Sequence, residues 1–118
     1  MFLFTVYIKE AHACDEWKLG NRICIPQHKT TADRLEAAKL MVNEMNFRIP
    51  TIVDTIDNTF EETFAVWPEK FIIMNNEGTI FSTSDPETYG HSPVTFRNQI
   101  LQFLETDGNS TDNKSNYV

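Results

Sequence analysis

The first eight residues, Met1-Phe-Leu-Phe-Thr-Val-Tyr-Ile8, constrain the fold most, because seven of them are apolar. Several are β-branched or aromatic, the types that favour strands. No alternation of polar and apolar positions marks a solvent face. The pattern predicts a strand buried on both sides, as in a largely parallel sheet. The run is far shorter than the ~18 apolar residues that a membrane helix needs. It has no basic leader and no small-residue cleavage site after it, so it does not read as a signal peptide. It stops at a polar segment, Lys9-Glu-Ala-His12. In open α/β sheets, reacting groups gather beyond the carboxyl ends of strands. Glu10 and His12 at such an end form a candidate acid and base. On this stretch alone, a solvated surface pair is the simpler reading.

The chain has 118 residues, enough for one domain with its own core. A formal net charge of -7 argues against a nucleic-acid surface and against a polybasic membrane patch. As written, the chain reads as soluble. It has no Gly-rich phosphate loop and no internal repeat. Its three His residues show no zinc spacing with the cysteines, and no metal is expected. Cys14 and Cys24 are too few for a disulfide scaffold and are not a CxxC pair. They read as two reduced thiols. The rival, a redox-active pair, requires their Cα atoms to lie within disulfide range.

Residues 13–28 read as a long irregular excursion with a short extended piece at 23–25, and Trp17 is expected to anchor it to the body. Thr30 or Thr31 caps the next helix, and Thr30 with Asp33 resembles a capping box. Leu35, Ala38, Met41, Val42 and Met45 recur at helical spacing as its buried stripe, with Arg34, Glu36, Lys39 and Asn43 mostly elsewhere on the wheel. This helix should stop near Asn46. Residues 50–54 form a short strand, 54–58 a turn and 59–65 a short helix. Residues 70–74 and 79–82 pair as a hairpin across Asn75-Asn-Glu-Gly78. Ser92 and Pro93 open the last helix, with Phe96, Ile100, Phe103 and Leu104 as its stripe. The ordered domain is expected over residues 1–105, with a disordered polar tail over 106–118.

The element order β-α-β-(α)-β-β-α suggests an α/β fold of thioredoxin-like type, lacking a first strand and the helix after it. In that fold the hairpin brings Trp67-Pro68 near Glu10 and His12. A cis-Pro commonly stands at such a place, although a plain trans loop Pro is the more frequent case.

The stretch Val6-Tyr-Ile-Lys-Glu-Ala-His-Ala-Cys-Asp-Glu-Trp17 resembles the iodothyronine deiodinase family, whose pattern is V-Y-I-x-E-A-H-x-S-D-G-W. Ile25-Pro-Gln-His28, Asp33-Arg-Leu-x-Ala-Ala38, Val53-Asp-Thr-Ile-Asp-Asn58, Pro68-Glu-Lys70 and Pro86 with Tyr89 extend the likeness. The resemblance implies a thioredoxin-like selenoenzyme that reductively removes iodine from thyroid hormones. It implies no bound cofactor, a thiol reductant as co-substrate, and a selenocysteine nucleophile at the start of the fold's first helix. Tyr7, Glu10 and His12 would then belong to a hydrogen-bonded proton network. His28 would hold the iodothyronine phenol, with Trp67 and Pro68 beside it. From its place in a strand alone, Tyr7 reads as core. The partner expected is a small iodinated aromatic molecule and no nucleic acid. The family also implies a homodimer and an N-terminal membrane anchor.

The likeness has departures. Cys14 stands for the family's Ser, Glu16 for its Gly, and Asp85 for a Gly before the loop Pro. No selenocysteine occurs in these residues. The chain begins at what would be the fold's second strand, so it is expected to be a truncated fragment, inactive alone. A frame that reads the selenocysteine codon as stop would restart where Met1 stands. Two other functions compete: a non-catalytic thioredoxin-like remnant or binding module, and a thiol reductase using Cys14 beside His12.

Overall fold

The computed structural model describes residues 1–20, 23–66, 70–84 and 93–109. The chain is mixed α/β, in the order β1 (Thr5–Tyr7), α1 (Thr31–Glu44), β2 (Thr51–Val53), α2 (Thr59–Phe64), β3 (Ile72–Met74), β4 (Ile80–Thr83) and α3 (Pro93–Asn109). It divides into two compact units, Phe2–Pro68 and Glu69–Val118, the latter joined by Met1.

In the first unit β1 pairs with β2 in parallel, with Thr5 opposite Thr51, Val6 opposite Ile52 and Tyr7 opposite Val53. Thr5 N donating to Pro50 O (2.8 Å) and Asp54 N donating to Tyr7 O (2.9 Å) extend the ladder at both ends. The parallel pairing matches the sequence reading, but the double-sided burial does not. Only Thr5–Tyr7 is strand, and Phe2, at 73% exposure, Leu3 and Phe4 are exposed. Among the described residues β1 has a single neighbour, so the apolar residues before it have no second strand to pack on.

Helix α1 connects the two strands, as a parallel pair requires. Its start follows from local chemistry. Thr30 Oγ1 accepts from Asp33 N (3.0 Å), while Asp33 Oδ2 accepts from Thr30 N (3.1 Å). Its end is a Schellman motif. Phe47 N donates to Val42 O (2.9 Å) and Asn46 N to Asn43 O (3.3 Å), with Asn46 in the left-handed region at φ 47°. The buried face is rotated from the expected stripe. It runs through Arg34, Ala37 and Ala38, whereas Leu35 and Met45 are exposed. Sequence periodicity assigned Arg34 to the outer side, because an unpaired cation does not enter a core. Here its partners come from later in the chain.

After β2, residues 54–58 turn as expected, and Asn58 takes φ 58°. The first turn of α2 is capped from a distance: Asp54 Oδ1 and Oδ2 accept from Phe60 N (2.9 Å) and Glu61 N (3.0 Å). Ala13 and Val66 are buried with Ala37 and Ala38 in this unit.

In the second unit β3 and β4 form the antiparallel hairpin. Asn75 Oδ1 accepts from Glu77 N and Thr79 N, and Gly78 sits at φ 84°, where a β-carbon is disfavoured. Phe71 stacks on Phe96 of α3 at 4.3 Å, and Phe81 meets Phe103 at 5.3 Å. Two of the expected α3 stripe residues thus pack on the hairpin, while Leu104 is exposed. The helix continues through Asn109, past Thr106. No helix among the described residues is long and apolar enough to cross a membrane.

Candidate active site

The polar residues after β1 meet the segment before α1. Glu10 N donates to Gln27 Oε1 (3.1 Å), and Gln27 Nε2 returns a bond to Glu10 O (3.0 Å). Gln27 also takes its own N–H to Asp15 Oδ1 (2.8 Å) and Nε2 to Glu16 Oε2 (3.0 Å). One amide side chain therefore joins the strand end to the excursion that follows it. Nothing in local spacing singled out Gln27, since its role depends on a contact 17 residues away.

The excursion is closed by a disulfide. Cys14 and Cys24, with Cα atoms 5.2 Å apart, are bonded to each other. The reading of two reduced thiols is corrected, and Cys14 is not a free nucleophile. Cys14 N donating to Ile25 O (3.0 Å) holds the two segments side by side, which a spacing of ten residues does not reveal. Trp17 does not anchor the loop to the body; it is exposed and lies edge-on to His12, with ring centroids 4.9 Å apart.

A pocket of about 330 Å³ opens over the end of β1. Glu10, Gln27, His28, Arg34, Lys9 and Asn58 are among the residues that line it. Tyr7 Oη donates to Glu10 Oε1. The same carboxylate oxygen lies 3.6 Å from His28 Nε2. The Tyr7 and His28 rings are 5.9 Å apart. Burial raises the Glu10 pKa above its ordinary value, opposed by the charge of Arg34. Burial lowers the His28 pKa, and the Arg34 cation lowers it further, with Asp33 opposing.

Arg34 forms the floor of this cluster at 1% exposure. Its Nε donates to His28 Nδ1 (3.1 Å), its Nη1 to Thr55 O (2.6 Å) and Asp54 O (3.4 Å), and its Nη2 to Asn58 Oδ1 (2.9 Å). Sequence reasoning missed it as a site residue. The only available signal was its position inside the Asp33-Arg-Leu-x-Ala-Ala38 match.

The structure thus brings Tyr7, Glu10 and His28 together. His12 stands apart from them. It is exposed, and its Nδ1 is 3.3 Å from Trp17 O. Trp67 and Pro68 lie outside the described residues. Among the described residues no cluster of His, Cys, Asp and Glu is arranged to hold a metal ion.

This arrangement offers a carboxyl with a raised pKa and a buried imidazole in one pocket, with a phenol hydrogen-bonded to the carboxyl. Such a set suits proton transfer to or from a group bound in the pocket.

Comparison with known proteins places the chain in a family. The iodothyronine deiodinase family profile matches residues 1–103. The chain is 38% identical over 88 residues to a type I iodothyronine deiodinase of Xenopus laevis, a match covering 75% of this chain and 34% of that protein. It is 33% identical to thyroxine 5-deiodinases of Sparus aurata and Gallus gallus. These matches cover 84% and 87% of this chain, and 37% and 41% of the relatives. The chain therefore spans between a third and about two-fifths of the length of the curated relatives it matches. The match extends over nearly all of the described residues, and the chain belongs to the iodothyronine deiodinase family.

Proposed function

We propose that this chain forms the proton-handling and phenol-binding part of a site for reductive deiodination of iodothyronines. The observation that carries the reading is that Glu10 and His28 line one pocket, with the Glu10 carboxyl pKa raised and the Tyr7 hydroxyl bonded to it from behind the lining. Removal of iodine from an aromatic ring leaves the ring carbon in need of a proton. Glu10, fed by Tyr7, is the group suited to hold one. His28 is suited to the phenolic oxygen. His12 enters the reading by family resemblance alone and would act from outside the cluster.

The nucleophile is not among these residues, which contain no selenocysteine and two paired cysteines. In the full reaction a selenolate takes the iodine, and the ring carbon receives the proton. Two thiols of a reductant then return the selenium iodide to selenolate, releasing iodide and forming a disulfide. The thioredoxin-like fold belongs to the same reading. It is supported by a parallel β1-α1-β2 unit and a β-hairpin followed by a helix.

The test is binding of radioiodinated thyroxine to the chain by equilibrium dialysis. Saturable binding is expected, and His28→Ala should weaken it about tenfold, the scale of one well-made hydrogen bond. Absence of saturable binding, or an unaffected His28→Ala variant, overturns the reading.

A further inference from the structure

A guanidinium is all donors and stays protonated throughout the working pH range. Arg34 is buried, and three of its nitrogens are engaged. Nη1 and Nη2 go to Thr55 O, Asp54 O and Asn58 Oδ1. Nε meets His28 Nδ1 at 3.1 Å. A donor that cannot lose its proton requires an acceptor opposite. His28 Nδ1 must therefore carry a lone pair, and the proton of the neutral ring must sit on Nε2. A second ring proton would set two N–H groups against each other beside a buried cation.

The other side of the ring carries the consequence. The His28 side chain is 2% exposed, and among the described residues Nε2 has no hydrogen-bond partner. Glu10 Oε1, 3.6 Å from it, lies beyond hydrogen-bond distance and already receives the Tyr7 hydroxyl. A buried N–H without a partner is costly and is normally paired. Here it belongs to a residue that lines the pocket.

We propose that Arg34 is a positioning residue that locks His28 as the Nε2–H tautomer, making this buried edge of the pocket a neutral donor kept for an acceptor oxygen of the ligand. The ligand's identity, an iodothyronine phenol oxygen, rests on the functional reading above; the tautomer does not. The lock also sets specificity. An analogue without the oxygen leaves the buried Nε2–H unpaired, a mismatch that discriminates more strongly than a change of apolar bulk. The desoxy analogue should bind at least tenfold more weakly than thyroxine.

Two-bond proton–nitrogen correlation spectra of the full chain, labelled with 15N-histidine, test this at neutral pH. His28 is expected to show an unprotonated Nδ1 and a protonated Nε2. Arg34→Met, which keeps bulk but removes the donor, should give a mixture of tautomers. Arg34→Lys keeps the charge without the fork and should restore the pattern only in part. A protonated Nδ1 in the wild-type chain overturns the proposal. So does a folded Arg34→Met chain whose tautomer is unchanged. If the Met variant does not fold, the wild-type and Lys spectra decide. Adding thyroxine should move the His28 signals without changing the tautomer. A correct tautomer with no thyroxine response overturns the functional reading and leaves the role of Arg34 standing.

Discussion

At the scale of single residues, His28 and Glu10 bend the stability of the fold with pH in opposite directions. The folded pKa of His28 lies below 6.5, chiefly because the ring is buried and then because Arg34 is next to it. Between those two values the unfolded chain holds a proton that the folded chain refuses. Stability contributed by His28 therefore rises with pH up to about 6.5 and is level above it. The folded pKa of Glu10 lies above 4.5 through burial. There the folded chain holds the extra proton, so its contribution falls as pH climbs from 4.5 through the raised value. His28→Gln should remove the rising limb and leave the falling one. Urea midpoints measured from about pH 5 to about pH 8 would show it, since that is the range in which histidine charge normally changes. A midpoint curve of unchanged shape would mean that the ring is not held neutral. The cause is spatial: the ring is buried against Arg34, whose other donors reach Asp54, Thr55 and Asn58, 20 to 24 residues later.

At the scale of elements, what the sequence revealed was whatever neighbours in the chain decide. The Thr30–Asp33 capping box follows from residues three apart, and it stands where spacing placed it. The hairpin turn, which needs Gly78 at positive φ, and Pro93 at the first position of α3 were legible for the same reason. The inner face of α1 was not. Hydropathy placed Leu35 inside and Arg34 outside, and the structure reverses both. A charge can be buried only if distant partners saturate it, and periodicity carries no information about distant partners. The site divides in the same way. Glu10 stood out at the strand end, Tyr7 joined it only through the family resemblance and otherwise read as core, and Gln27 and Arg34 act over longer spans. The capping box supplies the prediction at this scale. Thr30→Ala leaves the Asp33 N–H without its side-chain acceptor and should cost about 1 kcal/mol in urea unfolding. Thr30→Ser should recover most of it. Equal losses for both variants would show that the hydroxyl bond is not what starts the helix.

At the scale of the whole molecule, the chain is two small compact units, and the one holding the candidate site has few buried apolar side chains among its described residues. Such a unit leans on cross-links that a large core would make unnecessary. The Cys14–Cys24 disulfide is one. Sequence could not show it, because ten residues of separation are compatible with both bonded and free thiols. It closes the segment that carries Asp15 and Glu16, and both of those side chains bind Gln27, the residue that fastens Glu10. Opening the loop releases chain entropy in the unfolded state worth about 2–3 kcal/mol for a loop of this length. The double variant Cys14→Ser/Cys24→Ser should therefore lower unfolding stability by about that amount, read by tryptophan fluorescence in urea. Adding dithiothreitol to the wild-type chain should give the same midpoint, which separates loss of the bond from the effect of serine. Because Glu10 is held through Gln27, thyroxine binding should weaken in step with the loss of the bond. A wild-type midpoint that does not move under reduction would show that the disulfide stabilises neither the loop nor the site it borders.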